Sequence, residues 1–153
     1  MALSFTLADQ ATPDLRRLLR RARNLRPLMG AIAGIAQAST RGRFETSSGP
    51  DGTKWTPLSA VTLAAKQKRG GKGVGEPKIL VETAHLKRSI IRRYDGRTAE
   101  IGSNLPYAAV HQLGGQAGRG HAITLPARPY LGLSGADERA ITAAIRTFFA
   151  GAV

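Results

Sequence analysis

The sequence contains no cysteine, and this absence excludes disulfides, thiolate chemistry and cysteine-based zinc sites. Aromatic residues make up only 5% of its 153 residues, so the core has to rest mainly on Leu, Ile, Val and Ala. No stretch reaches the roughly 18 consecutive apolar residues of a membrane span. The first seven residues also lack the basic start and long apolar run of a secretory signal. We therefore expect no membrane partner and synthesis inside a cell.

Negative charge is scarce as well, because 10 Asp and Glu face 23 Lys and Arg, which gives a net charge of +13. Self-repulsion of this size is tolerated more easily beside a polyanion or an acidic partner. Nucleic acid, an acidic protein ring and an anionic membrane surface all meet that condition. The charge alone does not choose among them.

The length and the 42% apolar content predict one domain over residues 1–153. Its first part, residues 12–45, is predicted to be helical. Thr12 is a suitable N-cap for a first helix, and Pro27 should break that helix before a second one runs from Leu28 toward Phe44. The face of the second helix expected to pack comprises Ile32, Ile35, Ala36 and Ser39.

The middle of the chain alternates between loops and short elements. A short helix is predicted over 59–67, followed by a mobile, basic, glycine-rich loop over 68–78. Residues 89–103 are predicted to form a β-hairpin, because Asp95-Gly96 is a strong signal for a two-residue turn. A third strand is expected over 122–125.

The end of the chain has the pattern of a capped helix. Ser134 and Asp137 have the spacing of a capping box before a predicted helix over 135–150. The complete pattern predicts an α+β fold, in which one small antiparallel sheet packs with N-terminal and C-terminal helices and two long loops remain.

The residue patterns of common enzymes are missing. The loop from Gly70 to Gly75 matches neither the P-loop nor the dinucleotide-binding motif, and no Gly-x-Ser-x-Gly elbow occurs. The three histidines, His85, His111 and His121, have few acidic neighbours in the sequence and no metal-ligand spacing. We predict no catalytic residue, no cofactor and no metal, so an enzyme is the least favoured class.

Two regions remain as candidates for contacts with partners. Two prolines stiffen the segment Pro126–Tyr130, and stiffness would present Arg128 and Tyr130 to another protein at low entropic cost, although the segment is equally suited to be a structural corner. The arginines of the first helix either meet phosphates or an acidic protein, or form a solvated face opposite a leucine stripe.

Several short motifs follow one another in a familiar order. Pro50-Asp51-Gly52-x-x-Trp55-x-Pro57-Leu58-Ser59 comes after Arg43-Phe44 and before a Lys-rich loop. Ile79-Leu80-x-x-Thr83-x-x-Leu86 and Tyr107-Ala108-x-x-His111-Gln112-x-Gly114-Gly115 follow, and then Pro126-Ala127-Arg128-Pro129-Tyr130. The series resembles the phage virion morphogenesis family, the tail-completion proteins of Mu-like phages. Ala84 departs from the family, which often has Gly there, so we expect an ordinary backbone conformation at this position.

The resemblance implies a non-enzymatic structural protein of the virion neck, assembled in the cytoplasm of a bacterial host. Its expected partners are further copies of itself in a ring, most simply a hexamer, head-connector proteins, tail-tube or tail-terminator proteins, and DNA through non-specific contacts. The alternative is a basic nucleic-acid-binding protein that acts alone. The candidate interface residues are Trp55, Tyr107, His111, Arg128 and Tyr130. The candidate residues for a polyanion or the ring lumen are Arg16, Arg17, Arg20, Arg21, Lys68, Arg69 and Lys72.

Overall fold

The computed structural model describes residues 11–70 and 78–151. Six helices and four short strands occur in these ranges. The helices are α1 (Ala11–Arg23), α2 (Arg26–Thr46), α3 (Ala60–Gly70), α4 (His85–Arg88), α5 (Ala108–Leu113) and α6 (Gly135–Ala150). The strands are β1 (Ile91–Tyr94), β2 (Ala99–Gly102), β3 (Gly115–Ala117) and β4 (Ile123–Leu125), and a 3₁₀ turn covers Arg119–His121.

The long helix α2 lies at the centre of the fold, with α6 and the β1–β2 hairpin packed against it. Pro27 stands in its first turn, where a missing N–H costs nothing, and α1 ends before it as predicted. Two glycines of α2 permit the close approach of the hairpin. A Cβ on Gly30 would lie 3.0 Å from the Tyr94 ring, and one on Gly34 would lie 2.7 Å from the Arg92 guanidinium.

The face of α2 that is buried differs from the predicted one. Of the four residues expected to pack, only Ala36 is buried. The helix is covered from two sides, so its buried face is wider and includes two polar residues. Arg43 finds hydrogen-bond partners in distant segments, whereas the Thr40 hydroxyl has none among the described residues. The buried residues are Leu28, Ala33, Ala36, Thr40, Arg43 and Phe44.

The hairpin forms as predicted, but with a longer turn. Tyr94 pairs with Ala99, so four residues connect the strands instead of two. The Asp95 carboxylate accepts hydrogen bonds from the N–H groups of Arg97 and Thr98, at 2.6 and 2.7 Å. Gly96 keeps a negative φ, so the type I′ turn that Asp-Gly usually favours is not formed.

The fold is α+β, as the sequence predicts, but the expected single sheet is wrong. β1 pairs with β2, while β4 pairs antiparallel with β3, which gives two separate two-stranded sheets. The predicted third strand therefore belongs to a second hairpin. Such ribbons need other elements to support them, because an isolated pair of strands is only marginally stable.

The remaining helices show how well local signals fix helix ends. α6 has the predicted capping box, in which Ser134 and Asp137 satisfy each other's N–H groups. α1 already includes Ala11, so Thr12 lies inside the helix and is not its N-cap. α3 continues to Gly70, so the first residues of the predicted loop 68–78 are helical, and residues 71–77 lie outside the described ranges. None of the described helices has the length and apolar character required to cross a membrane.

The core is small and centred on three aromatic rings. The Phe44 ring lies 5.7 Å from that of Trp55 and 5.3 Å from that of Tyr130. Leu86, Ile90 and Ala108 complete the buried cluster, with half-buried apolar residues around it. The core thus joins α2 to the segment that carries Trp55, to α4 and α5, and to the segment that carries Tyr130 and leads into α6.

Ala84 contradicts the expectation of an ordinary backbone. Its φ of 58° and ψ of 15° place it in the left-handed region, directly before α4. The tight turn is therefore kept although the residue has a Cβ, since the buried Leu86 two residues later holds α4 in place. The conformation costs an L-residue other than glycine roughly 1–2 kcal/mol.

Candidate docking cleft and basic surface

The segment Pro126–Tyr130 is extended, as its prolines predict, but its two prominent side chains point inward. Arg128 is 6% exposed and Tyr130 is 1% exposed. The expectation that stiffness presents both side chains to a partner is therefore wrong. An extended chain directs alternate side chains to the same face, and here that face covers the core. Whether the surface above them meets another protein stays a prediction.

Arg128 is held by backbone carbonyls. Its guanidinium donates to Thr56 O at 2.9 and 3.0 Å and to Pro57 O at 3.2 Å. Burial lowers the pKa of Arg128 from its usual value, although an arginine stays charged near neutral pH. The residue joins the segment after Trp55 to the segment that precedes α6, so its function in the isolated chain is to connect two loops.

Trp55 and Tyr130 combine apolar burial with one polar anchor each. The Trp55 indole N–H donates to Pro129 O at 2.8 Å, and the Tyr130 hydroxyl donates to Ala108 O at 2.9 Å. Trp55 is 4% exposed. Both candidate interface residues thus belong to the core of the chain, and burial raises the pKa of the Tyr130 hydroxyl.

α5 fastens the same segment from the other side. The Gln112 side-chain oxygen accepts from the N–H groups of Tyr130 and Leu131, both at 2.9 Å, and its amide donates to Leu131 O at 3.2 Å. The Arg128 N–H donates to His111 O at 2.8 Å. Because a glutamine amide reproduces the pattern of a peptide group, Gln112 pairs with the segment as a strand would.

A cleft of 590 Å³ opens beside α5, between α3, the chain before α4, and β4. Tyr107 and His111 both line it, with ring centroids 5.9 Å apart in an edge-to-face arrangement. Tyr107 is 42% exposed, and Ile123 of β4, at 57%, adds an apolar side chain to the wall. Of the five candidate interface residues, Tyr107, His111 and Arg128 line the cleft, and among these three only Tyr107 is exposed.

His111 contributes a buried polar atom to the wall of the cleft. Its Nδ1 atom is buried without a hydrogen bond to any of the described residues. Burial, and secondly the charge of Arg128, lower the pKa of His111 from 6.5. The neutral imidazole is therefore the form that the native chain favours near neutral pH.

A buried ion pair that sequence reasoning did not identify fastens α2 to α6. Arg43 donates to Asp137 Oδ2 at 2.8 Å and to the carbonyls of Tyr130 and Gly132, both at 2.8 Å. Ser39 and Ser134 donate to the same carboxylate oxygen. Burial by itself would raise the pKa of Asp137, but the hydrogen bonds from Ser134 and Ser39 and the charge of Arg43 lower it overall.

Both halves of this pair carried a signal in the sequence. Asp137 is the acid of the predicted capping box, and Arg43 stands in the Arg43-Phe44 motif. The capping box explains Asp137 locally, so no property of the sequence required a second, distant partner. Only the packing of α6 on α2 brings the two charges together.

The arginines of α1 differ from one another in the structure. Arg16, Arg17 and Arg20 are exposed, as a polyanion contact requires. Arg17 also forms an ion pair with Asp14. Arg21 is half-buried and donates to the carbonyls of Phe148 and Gly151, so it fastens α1 to the end of α6. Three of the four arginines predicted to contact a polyanion are therefore accessible, while Arg21 stabilises the fold.

The basic residues of the predicted mobile loop are only partly described. Lys68 lies in α3 and is exposed, and Arg69 continues the same helix. Lys72 lies outside the described ranges. In residues 11–70 and 78–151 no group of three His, Asp or Glu side chains comes together in a way that could hold a metal ion.

Comparison with known proteins gives two relatives and one family. The family model described as "Phage virion morphogenesis family" matches residues 8–150. "Mu-like prophage FluMu G protein 2" of Haemophilus influenzae is 37% identical over 142 residues, which are 93% of this chain and 91% of the relative. "Putative capsid assembly protein G" of Escherichia phage Mu is 37% identical over 123 residues, 79% of this chain and 77% of the relative. No solved structure matches.

Proposed function

The chain belongs to the phage virion morphogenesis family, and from this membership we propose that it is a non-enzymatic structural protein of the virion neck. It completes the tail and joins it to the DNA-filled head after both have been assembled in the bacterial cytoplasm. The observation that carries the proposal is the family match, which spans residues 8–150. A role in phage assembly follows from the family, and the neck position is our addition.

The arrangement we propose is a ring of copies around the DNA channel, most simply a hexamer. Ring closure needs head-to-tail contacts in which unlike surfaces meet. The cleft with Tyr107, His111 and Ile123 offers one such surface, because it is concave, partly apolar and open on its outer side. The net charge of +13 supports a position close to DNA or to acidic head and tail components.

The test is deletion of the gene from its phage genome, with the protein supplied from a plasmid. We expect the deletion to leave DNA-filled heads and separate tails in electron micrographs, and the plasmid to restore joined virions. Purified protein should add a ring-shaped density to the end of these tails. Joined virions without the protein, or a block at capsid formation that leaves no filled heads, would contradict the neck position.

The ring contact has its own test in Tyr107→Ala. We expect this variant to lose ring density and joining while its melting temperature stays close to wild type, because Tyr107 is exposed. Val61→Ala on α3 is the matched control, since Val61 is 81% exposed and does not line the cleft. Equal loss in both variants would show that the cleft has no special part in assembly.

A basic protein that binds nucleic acid on its own is the second candidate, and the excess of 23 Lys and Arg over 10 acids favours it. It predicts that the free protein binds double-stranded DNA with an affinity that falls steeply with salt. Absence of binding at moderate salt would remove this candidate. Phage particles joined normally in the absence of the protein would favour it.

A further inference from the structure

α1 is attached to the rest of the chain at its C-terminal end. The guanidinium of Arg21 donates to the carbonyls of Phe148 and Gly151 and lies 5.7 Å from the centre of the Phe148 ring. A cation at the C-terminus of α6 also complements the helix dipole. This attachment holds α1 at a defined place while most of its surface stays free.

The free surface contains leucines that a purely solvated helix would not carry. Leu15 is 63% exposed and Leu19 is 55% exposed. Together with the exposed Ala22 they are spaced four and three residues apart, so they form one stripe along the helix. Burial of such a stripe against another surface is favourable, and none of the described residues of this chain covers it.

Arginines border this stripe on one side. Arg16, Arg20 and Arg23 are exposed and follow the leucines around the helix. Arg17 is partly neutralised by Asp14. A surface that covers the whole face has to supply an apolar centre and a negatively charged rim at the same time.

Three possible occupants fit these demands unequally. A second copy of this chain is a poor match for the arginines of α1, because it has only 10 Asp and Glu with which to form an acidic surface. DNA satisfies the arginines through its phosphates but leaves the leucines exposed. An acidic protein surface with an apolar centre satisfies both.

We propose that α1 is a docking helix for an acidic protein surface on the head or the tail, with Leu15 and Leu19 at the centre of the contact and Arg16, Arg20 and Arg23 at its rim. The identity of the partner as a head or tail component rests on the proposed function. The arginines then steer the encounter, while the leucines supply the close contact.

The test measures binding of the purified protein to isolated tails and to DNA-filled heads from the deletion phage. Leu15→Gln with Leu19→Gln removes the apolar stripe but keeps good helix formers and every charge. Val61→Gln with Leu63→Gln on α3 is the matched control, because these side chains are also exposed. We expect the α1 variant to lose at least tenfold in affinity for one particle and the α3 variant to stay within twofold of wild type.

The arginines are tested separately. Arg16→Gln with Arg20→Gln and Arg23→Gln should weaken binding to the same particle and reduce its dependence on salt. A double-stranded DNA of 30 base pairs and vesicles of anionic phospholipid are the comparison probes. If wild type and the leucine variant bind the DNA equally well and the vesicles equally well, the proposal is supported, because the leucines then contribute only to a protein contact.

The docking proposal is overturned if the leucine variant binds heads and tails as wild type does, or if its loss appears only with DNA or only with vesicles. It is also overturned if wild type binds neither particle. Of these results, only the last also counts against the neck function. If the leucine variant restores joining in the deletion phage, the neck function holds and only the docking helix is refuted.

Discussion

The segment that leads into α6 and the helix α1 use similar residues in opposite ways. The segment takes Arg128 and Tyr130 into the interior, where their side chains donate hydrogen bonds to backbone carbonyls of the same chain. α1 leaves its arginines and two leucines outside, with one arginine as its anchor. Arg128 and Tyr130, which look functional in the sequence, therefore build the fold, while the contact surface that we propose on α1 includes two leucines that no motif marks.

The difference follows from what each region can pack against. The segment lies between α2, α5 and the chain after Trp55, so its side chains are surrounded. Within residues 11–70 and 78–151, α1 touches the rest of the chain mainly at one end, and none of these residues covers its apolar stripe. The two regions should therefore differ in how much each contributes to the stability of the chain.

The largest loss of stability is expected from Asp137→Ala, which leaves Arg43 buried without its counter-charge. Breaking a buried ion pair in this way costs about 3–5 kcal/mol, measured as the free energy of unfolding in urea. Glu138→Ala is the control, since Glu138 is the exposed acid next in the chain. Losses of equal size in the two variants would refute a special contribution of the Arg43–Asp137 pair.

A large loss of stability is also expected from Ile90→Ala, because the Ile90 side chain is fully buried in the core. Removal of a buried isoleucine side chain down to alanine costs about 2–5 kcal/mol. Leu19→Ala on α1 should change stability by less than about 0.5 kcal/mol, because a surface substitution removes few contacts. Thermal unfolding of both variants checks this, and a comparable loss for Leu19→Ala would mean that α1 belongs to the core.

A smaller loss of stability is expected from Tyr130→Phe, which removes the hydroxyl that donates a hydrogen bond to Ala108 O. One hydrogen bond contributes about 1 kcal/mol net. Tyr107→Phe is the matched control on the exposed wall of the cleft, and its stability should be unchanged. Chemical denaturation of the pair decides whether the two tyrosines differ as their burial indicates.

Ala84→Gly should stabilise the chain, because glycine adopts the left-handed conformation without a steric penalty. The gain is about 0.5–1 kcal/mol once the greater freedom of glycine in the unfolded chain is subtracted. Ala143→Gly in the middle of α6 should instead lower the free energy of unfolding by about 1 kcal/mol. A rise in melting temperature for the first variant and a fall for the second is the expected result.

The smallest effect is the dependence of stability on pH through His111. Its pKa is lowered in the folded chain by burial and by Arg128, so the unfolded chain binds the proton first as the pH falls. Stability should therefore decrease as the pH drops below 6.5 toward the lowered folded pKa. Replacement of His111 by Asn should flatten this slope, measured as the free energy of unfolding at a series of pH values.

The outcome of the sequence predictions shows where local information is sufficient. The start of α6 follows from Ser134 and Asp137, and the break before α2 follows from Pro27, because caps and prolines act within a few residues. The division into two sheets did not follow, since pairing of β4 with β3 depends on residues that α5 and the 3₁₀ turn bring together. The buried face of α2 was missed for the same reason, because Thr40 and Arg43 acquire their surroundings only from distant segments.

The sequence by itself determined the helices α1, α2, α3 and α6, the first hairpin, the stiffness of Pro126–Tyr130, the excess of positive charge and the resemblance to a phage assembly family. These properties depend on residue type and short spacing. The tertiary structure decided which side chains are available to a partner. It took Arg128, Tyr130 and Trp55 into the interior and left Leu15 and Leu19 outside, because burial is a property of what packs around a residue.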